Sequence, residues 1–428
     1  MIEELYHHFL ACNQRVSTDT RNISKNSIFF ALKGPNFNGN KFAKEALNNG
    51  ANFVVIDEAK YQIDNRTILV DDVLICLQEL SNFHRNKLKI PVLGITGTNG
   101  KTTSKELIGA VLSSQYKTLI TIGNLNNHIG VPLTLLKLTS QHEIAIIEMG
   151  ASKEGDIREL ANIAEPTHGL ITNIGKAHLE GFGSFENIIK TKLELYDFIH
   201  NAKGEIFVNN DDDLLRNSID KTITFHTYGQ QKSIINGFVA DHHPTIGIKW
   251  VIANQEYYTK TNLIGAYNLN NLLAAISIGN YFNVSNENIH SSLEKYLPSN
   301  HRSQIVKTQN NTIIADCYNA NPSSVMESLK SFKAINEANK IAVLGDMLEL
   351  GEVSLEEHLA VITFLEKEKI DAILVGNEFL KVKSNYPTFQ STEKAIEFLT
   401  QKDFKNFTIL LKGSRGIKLE KLIDTTIF

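Results

Sequence analysis

The sequence has few cysteines and no long hydrophobic run. Its three cysteines, Cys12, Cys76 and Cys317, are odd in number and widely spaced. This pattern argues against a disulfide framework or a zinc site and is typical of free thiols in a reducing compartment. No apolar stretch approaches the ~20 residues of a membrane span, and the first residues carry acids where a signal peptide carries bases. These absences predict a cytoplasmic protein with no membrane insertion.

Net charge is also low. The formal value is only −4, and basic residues are scattered among acidic ones along the chain. A surface that binds a polyanion carries a basic excess, so we expect no nucleic-acid partner. We also expect a monomer. With 428 residues, of which 42% are hydrophobic, the chain has enough apolar material for several separate cores,.

Strand-like apolar runs alternate with amphipathic helical stretches along almost the whole chain, which predicts an α/β fold with parallel sheets,. We predict three domains, at residues 1–89, 90–298 and 299–428. The second boundary lies in the polar segment 297–300, which contains Pro298 and ends at Asn300,. In the third domain, the spacing of apolar runs predicts a doubly wound, Rossmann-like sheet with strands at 313–315, 341–344, 372–375 and 408–411,.

A glycine loop near the start of the second domain gives the strongest functional signal. The apolar run 92–96 predicts a buried strand and the stretch 104–112 predicts a helix. The loop before this helix consists of Gly97, Thr98, Asn99, Gly100, Lys101, Thr102 and Thr103. Backbone N–H groups of such a loop surround phosphate oxygens, the lysine neutralises them, and the threonine after it can bind Mg²⁺. Although Ile95 stands where the usual motif has glycine, the loop predicts a nucleoside-triphosphate site in a P-loop-type central domain.

Glu148 lies at the C-terminal end of another predicted buried strand, 144–147. Ligands of open α/β sheets gather at these strand ends, so Glu148 is a candidate ligand of the nucleotide's Mg²⁺, directly or through water. Capping of the next helix is the alternative. His178 and Lys192 carry less information by themselves, because a lone histidine is usually structural and a helical lysine usually lies in solvent.

Motifs from all three predicted domains occur together, in this order, in one known family. They are residues 97–102, 148–150, 172–175, 177–180, Lys192, 265–268 with Asn271, Arg302 and 316–322. In these motifs the chain resembles the Mur ligases of peptidoglycan synthesis. Segments 17–21, 126–134, 318–322 and 344–351, with His358, are most similar to the members that join D-alanyl-D-alanine to UDP-N-acetylmuramoyl-tripeptide. The Asp-Asn-Pro-Arg signature typical of the preceding ligase does not occur.

The resemblance implies an N-terminal UDP-sugar domain, a central ATPase domain and a C-terminal dinucleotide-fold-like domain. It implies an ADP-forming ligase that uses ATP as co-substrate and two Mg²⁺ ions, and that forms an amide through an acyl phosphate. His178 matches a position near the second metal. Lys192 matches a lysine that family members carbamylate, which would turn its amine into an oxygen donor for Mg²⁺. With Lys101, these two residues are the expected catalytic residues.

Further contacts are implied by the resemblance. Asn268 and Asn271 match a segment that borders the nucleotide, whereas Arg302 and Asp316 match positions that approach ATP from the third domain. The expected substrate-binding residues are Thr20, Asn38, Asn126, Asn127 and Asn319. Residues 37–40 are Phe-Asn-Gly-Asn, where such ligases commonly have Phe-Asp-Gly-His, and a surface turn is the alternative for this segment,.

Other functions stay open from the sequence. The chain could be another Mur-type amide ligase or a folylpolyglutamate synthetase. A folylpolyglutamate synthetase, however, normally lacks a separate N-terminal domain of about 90 residues. A nucleotide-dependent switch would keep the phosphate loop and make no amide. A catalytically inactive homologue is the remaining alternative, and the presence of Lys101, Glu148 and Lys192 argues against it.

Overall fold

The computed structural model describes residues 1–220, 222–242, 245–299, 301–402, 404–425 and 427–428, so Asn300 of the predicted linker lies outside the described residues. The strands are β1 (Val16–Ser17), β2 (Ser27–Phe30), β3 (Lys33–Gly34), β4 (Phe37–Asn38), β5 (Ala51–Ile56), β6 (Thr67–Leu69), β7 (Val92–Thr96), β8 (Thr118–Ile120), β9 (Ile144–Glu148), β10 (His168–Ile171), β11 (Glu205–Asn209), β12 (His226–Gly229), β13 (Ile235–Asp241), β14 (Gly247–Ile252), β15 (Gln255–Lys260), β16 (Gln304–Lys307), β17 (Thr312–Asp316), β18 (Lys340–Gly345), β19 (Ala372–Val375), β20 (Thr388–Phe389) and β21 (Thr408–Lys412). The helices are α1 (Ile2–Ala11), α2 (Ala43–Asn48), α3 (Val73–Leu88), α4 (Lys101–Leu112), α5 (Gly130–Leu135), α6 (Asp156–Ala164), α7 (Leu179–Phe182), α8 (Phe185–Asn201), α9 (Asp213–Ser218), α10 (Leu269–Tyr281), α11 (Asn286–Lys295), α12 (Pro322–Ala334), α13 (Ser354–Glu368), α14 (Asn377–Leu380) and α15 (Thr392–Leu399).

Three main sheets follow one another along the chain. The first is parallel, in the order β1-β2-β5-β6. The second has the order β15-β14-β13-β12-β11-β10-β7-β9-β8 and becomes antiparallel only at β14 and β15. The third has the order β16-β17-β21-β18-β19-β20 and is parallel except for β16. The α/β class with a central parallel sheet and a C-terminal doubly wound sheet is therefore confirmed.

Strands β7, β9 and β10 of the second sheet are buried on both faces, which explains why they are continuous apolar runs,. One face packs against α4 and α10, and the other against α6 and α8. Close packing of α4 and α10 depends on Gly279, where an added Cβ would lie 2.5 Å from Val111 Cγ1. Trp250 is fully buried on the same side, and its indole N–H donates to Thr259 Oγ1 at 3.0 Å.

Strands β10, β7 and β9 are neighbours in this sheet, and β9 lies next to the edge strand β8. In the parallel register Ile171 pairs with Thr96, and Ile95 pairs with Glu148. The chain therefore leaves all three strands at one edge of the sheet. The glycine loop, Glu148 and Thr172 meet there, as expected for a ligand site of an open α/β sheet.

His168 predicts a pH dependence of stability. Its imidazole packs edge-on against Tyr281, near Glu205 and His226, and burial lowers its pKa from 6.5 to about 4. Because the unfolded state takes up this proton first, the stabilisation is complete above pH 6.5 and is lost as the pH falls toward 4. At about 1.4 kcal/mol per pH unit, the loss is about 3 kcal/mol.

Urea unfolding at pH 7 and at pH 4.5 measures this contribution. We expect His168→Gln, which cannot titrate, to lose less stability than the wild type over that interval. Equal losses in the two proteins would contradict the assignment. His200→Gln is the control and should lose as much stability as the wild type, because His200 is exposed on the same domain and lies outside the His168 cluster.

Candidate active site

A cavity of about 1510 Å³ lies between the second and third sheets. The glycine loop and the ends of β9 and β10 form one wall. The opposite wall comes from the segments that follow β17, β18 and β21 in the third sheet. The cavity therefore joins residues that are more than 300 positions apart in the sequence.

The glycines of the loop allow close contact with the rest of the second domain. Gly97 has φ +142° and Gly100 has φ +79°, a region that side chains disfavour,. An added Cβ at Gly97 would lie 2.0 Å from Thr172 Oγ1, and one at Gly100 would lie 2.6 Å from Asn271 Oδ1. Helix α4 begins directly after Gly100, so the N–H groups of its first turn face the cavity,.

Lys101 is the first residue of α4, and its ammonium group is held close to the loop. Its Nζ donates to the carbonyl oxygens of Gly97 at 2.5 Å and Thr98 at 2.9 Å. Desolvation lowers the pKa of Lys101 to about 8, and the nearby Arg302 charge acts in the same direction while Glu148 opposes it. The Lys101 ammonium is thus held inside the loop. Phosphate oxygens of a bound nucleotide would replace the two carbonyl oxygens as its hydrogen-bond partners.

Glu148 is buried at the end of β9, accepts hydrogen bonds from two side chains and forms an ion pair with a third. Thr102 Oγ1 donates at 3.0 Å and Asn126 Nδ2 at 2.8 Å, and Lys105 Nζ lies 3.5 Å away. A carboxylate and a hydroxyl beside a phosphate loop are the oxygen donors that Mg²⁺ requires. The residues present therefore fit a magnesium ion, although the described residues contain no cluster of three or more His, Cys, Asp or Glu side chains that could hold a metal.

Lys105 is a functional candidate that the sequence analysis missed. It is buried in α4 and lies beside Glu148. Because a lysine in a helix is usually exposed to solvent, the sequence did not indicate that Lys105 is buried. The available signal was its spacing, because residues four apart share a helix face and Lys101 already points to the phosphate site.

Asn268, directly before α10, and Asn271, in its first turn, support the glycine loop, and both line the cavity. Asn271 Nδ2 donates to Asn268 Oδ1 at 2.8 Å, and Asn271 Oδ1 accepts from Ser104 Oγ at 2.9 Å. Asn268 Nδ2 donates to the Ile264 carbonyl. The pair therefore fixes the position of Gly100 and of the first turn of α4.

Lys192 is buried in α8, with 3% of its side chain area exposed. Burial holds the pKa of Lys192 well below 10.5, and the positive charge of Lys101 lowers it further. Lys190, two positions earlier, is instead exposed and paired with Glu154. Two lysines of one helix thus have opposite environments, and burial favours the neutral form of the Lys192 amine,.

His178 contacts the third domain. Its Nδ1 lies 2.5 Å from Glu349 Oε2, and burial lowers the pKa of the imidazole while the carboxylate opposes this. Both residues have left-handed backbone conformations, with φ +51° at His178 and φ +64° at Glu349. Non-glycine residues adopt this region at a cost and mainly where the fold constrains them.

The third domain brings Arg302, Asp316 and Asn319 to the cavity. The Arg302 guanidinium stacks 3.8 Å from the centre of the Tyr318 ring. Asp316 accepts from Ser328 Oγ at 2.8 Å and pairs with Lys412 Nζ at 3.0 Å. These contacts leave the Arg302 charge available to an anion, while the Asp316 charge is largely balanced.

Direct hydrogen bonds join the glycine loop to the third domain. Asn99 Nδ2 donates to Ser323 Oγ at 2.9 Å, and Asn321 Nδ2 donates to Asn99 Oδ1 at 2.8 Å. Asn321 also caps α12 through its Oδ1, which accepts from the Ser324 N–H. The loop predicted to hold the nucleotide is therefore in contact with the N-terminal end of a helix from the neighbouring domain.

Two predicted substrate-binding residues lie elsewhere. Thr20 and Asn38 belong to the first sheet's part of the chain and do not line the cavity, whereas Asn126 and Asn127 do. Asn38 Nδ2 donates to Glu58 Oε1 at 2.7 Å. The Asn-Gly-Asn segment is thus a hydrogen-bonded turn at the edge of the first sheet, and its predicted role in substrate binding stays a prediction.

Comparison with known proteins gives a consistent result in all three parts of the chain. The family models that match are "Mur ligase family, catalytic domain" at residues 14–85, "Mur ligase middle domain" at 95–279 and "Mur ligase, glutamate ligase domain" at 301–415. The UDP-N-acetylmuramoyl-tripeptide–D-alanyl-D-alanine ligase of Bacillus subtilis (strain 168) is 33% identical over 96% of this chain and 93% of its own length. The enzyme of that name from Escherichia coli (strain K12) is 30% identical over 95% and 92%.

Solved structures agree with this result. A crystal structure of MurF from Acinetobacter baumannii is 29% identical, covers 96% of this chain and 93% of that chain, and superposes with a TM-score of 0.88. MurF ligase from Thermotoga maritima in complex with ADP is 26% identical, with coverage of 97% and 98% and a TM-score of 0.87. Sequence and structure relatives therefore coincide over nearly the full length, and the chain belongs to the Mur ligase family.

Proposed function

We propose that this chain joins D-alanyl-D-alanine to UDP-N-acetylmuramoyl-tripeptide, with ATP converted to ADP and phosphate. The product would be the UDP-muramoyl-pentapeptide precursor of peptidoglycan. One observation carries the proposal: a phosphate loop with a buried Thr102–Glu148 pair faces third-domain side chains across a single cavity. The names of the full-length relatives supply the substrates.

Division of labour among three domains is part of the proposal. Residues 1–89 would hold the UDP-sugar, residues 90–298 would bind ATP, and residues 299–428 would form the Rossmann-like ligase domain. Each of these three parts contributes most of one hydrophobic cluster, which supports the division, while Leu136 packs into the first cluster and Ile264 into the third. Thr20 and Asn38 would then contact the UDP end, while the peptide reaches toward Asn126 and Asn127 at the cavity.

The reaction requires activation, because a carboxylate is a poor electrophile. The terminal carboxylate oxygen of the tripeptide attacks the γ-phosphorus of ATP, ADP leaves, and an acyl phosphate forms. The dipeptide amine then attacks the acyl carbon, and the tetrahedral intermediate collapses with loss of phosphate and of the amine proton. Such phosphoryl transfer depends mainly on positioning and charge neutralisation.

The residues of the loop supply both requirements. Backbone N–H groups of residues 97–103 would hold the phosphates, and Lys101 would neutralise the charge that develops on the transferred group. Glu148 and Thr102 would hold Mg²⁺, which when bound polarises phosphoryl oxygens as a Lewis acid. Arg302 would balance phosphate charge from the opposite wall, and Asp316 would accept ribose hydroxyls.

Lys192 and His178 would complete the second metal site. A neutral, desolvated amine is the form that adds carbon dioxide, and the lowered pKa of Lys192 supports carbamylation there,. The resulting oxygen donors would bind a second Mg²⁺. His178, which faces Glu349, would contact the metal or the phosphoryl group from the same side.

Hydrogen bonds between Asn99 and the third domain support a closed reacting state. An acyl phosphate hydrolyses readily, so a site that excludes water favours amide formation. The Asn99 contacts to Asn321 and Ser323 would hold the third domain over the loop during this step.

A coupled phosphate-release assay tests the proposed function. We expect phosphate release to require ATP, D-alanyl-D-alanine and a UDP-muramoyl-tripeptide, supplied separately with lysine or with diaminopimelate as the third residue. Amide formation with a folate and glutamate would indicate a folylpolyglutamate synthetase instead. Nucleotide hydrolysis that is independent of both peptide substrates would favour the switch.

A further inference from the structure

Two loops of the third domain enter the cavity side by side. One follows β18 and carries Glu349, and the other follows β21 and carries Arg415. Strands β18 and β21 are neighbours in the sheet, so both loops leave at its C-terminal edge. The Leu348 N–H donates to Ser414 Oγ at 3.0 Å, and the Ser414 N–H donates to the Asp346 carbonyl at 3.1 Å.

Buried hydrogen bonds fix the loop that carries Glu349. His358 is fully buried, accepts from the Met347 N–H at 3.1 Å through Nε2, and donates from Nδ1 to the Ser354 carbonyl at 2.7 Å. Asp346 accepts from the N–H groups of Glu378 and Phe379. These buried partners explain the sequence motif at 344–351 with His358, because they fix the loop and thereby the position of Glu349.

Glu349 presents a carboxylate beside the catalytic centre. One of its oxygens contacts His178, yet 64% of the side chain area remains exposed to the cavity. Its left-handed backbone would suit glycine better,. A charged side chain at such a position argues for a role of the carboxylate itself.

Arg415 presents the opposite charge from the neighbouring loop. Among the described residues no carboxylate pairs with it, whereas the nearby Lys412 pairs with Asp316 at 3.0 Å. The Arg415 guanidinium lies 5.3 Å from the centre of the Tyr318 ring, which also contacts Arg302. Tyr318 thus contacts two guanidinium groups, and no carboxylate among the described residues pairs with that of Arg415.

We propose that Glu349 and Arg415 form a two-ended site for the zwitterionic dipeptide. Glu349 receives the ammonium group beside His178, and Arg415 receives the terminal carboxylate through its planar pair of donors. Both residues line the same cavity from loops that follow neighbouring strands, and an extended dipeptide spans roughly 7 Å. This inference rests on the proposed function and adds to it the residues that select an unblocked dipeptide.

Substrate charge provides the first test. Wild-type enzyme should use D-alanyl-D-alanine about 10- to 100-fold better, in kcat/KM, than D-alanyl-D-alaninamide, which lacks the carboxylate charge. Arg415→Met should bring this ratio close to one without changing KM for ATP, and Arg415→Lys should keep most of the preference. Lys383→Met, an exposed change in the same domain, should behave as the wild type. Equal use of acid and amide by the wild type, or an unchanged preference in Arg415→Met, would overturn the proposal.

Glu349→Gln tests the other end. Glutamine keeps a hydrogen-bonding oxygen for His178 and removes the charge, so KM for the dipeptide should rise about tenfold or more while KM for ATP and for the UDP-tripeptide stays constant. Glu356→Gln is the matched exposed control. A fall in kcat with no change in dipeptide KM would show that Glu349 only positions His178. If the wild type forms no amide at all, the proposed function fails; if it does and these variants bind the dipeptide normally, only this inference fails.

Discussion

Lys101→Ala is expected to lower kcat for amide formation about 10³-fold. The Lys101 ammonium is the cation held within the glycine loop, with two loop carbonyls as its partners. Removal of one preorganised donor from a developing oxyanion typically costs 10²- to 10³-fold, and here a full positive charge is lost as well. The coupled phosphate-release assay, with saturating peptide substrates, measures the effect.

Lys137→Ala is the matched control for this prediction. Lys137 belongs to the same domain, is exposed and does not line the cavity, so its removal should leave kcat unchanged. Thermal unfolding of Lys101→Ala should follow that of the wild type within a few degrees, because the hydrophobic contacts of α4 are untouched. A Lys101→Ala protein that turns over within tenfold of the wild type would exclude phosphate transfer at this loop.

Lys192→Ala should lower kcat by 10²-fold or more if the buried amine becomes a carbamate. The variant removes two oxygen donors from the proposed metal site, and metal-bound charge is worth several kcal/mol in such transition states. In the wild type, activity should fall when dissolved carbon dioxide is removed and return when bicarbonate is added. Steady-state rates in degassed and bicarbonate-supplemented buffers make this comparison directly.

Lys190 offers the control within the same helix. It is exposed and paired with Glu154, so Lys190→Ala should retain the wild-type rate and its response to bicarbonate. With ¹³C-labelled bicarbonate, a carbamate resonance should be present in the wild type and in Lys190→Ala and absent in Lys192→Ala. Full activity without carbon dioxide, together with no such resonance, would contradict carbamylation.

Local patterns in the sequence predicted the strand–loop–helix unit and four strands of the third sheet, but not its two edge strands, β16 and β20. Strand 372–375 has the predicted bounds, and 408–411 extends by one residue, because short β-branched and aliphatic runs between polar turns are read reliably,. The helix after the glycine loop was predicted to start at residue 104, and this start was wrong. Helix α4 begins at Lys101, because Gly100 in its left-handed conformation ends the loop there.

Local sequence patterns could not predict which residues of different domains lie close together. Arg302, Asp316 and Asn319 reach the cavity as the family resemblance implied, but no periodicity in the chain places Glu349 beside His178 or Arg415 beside Tyr318. Such pairs depend on how two domains pack. Lys105 was missed for a related reason, since its charge is balanced by Glu148, which lies on a different strand.

The bonds from Asn99 to Asn321 and Ser323 have a thermodynamic consequence. Any outward swing of the third domain must break them, so loop order and domain orientation are two readouts of one equilibrium. Linkage is reciprocal: the factor by which ATP favours the closed orientation equals the factor by which that orientation tightens ATP. A compound that wedges the two asparagines apart would therefore weaken nucleotide affinity without resembling a nucleotide.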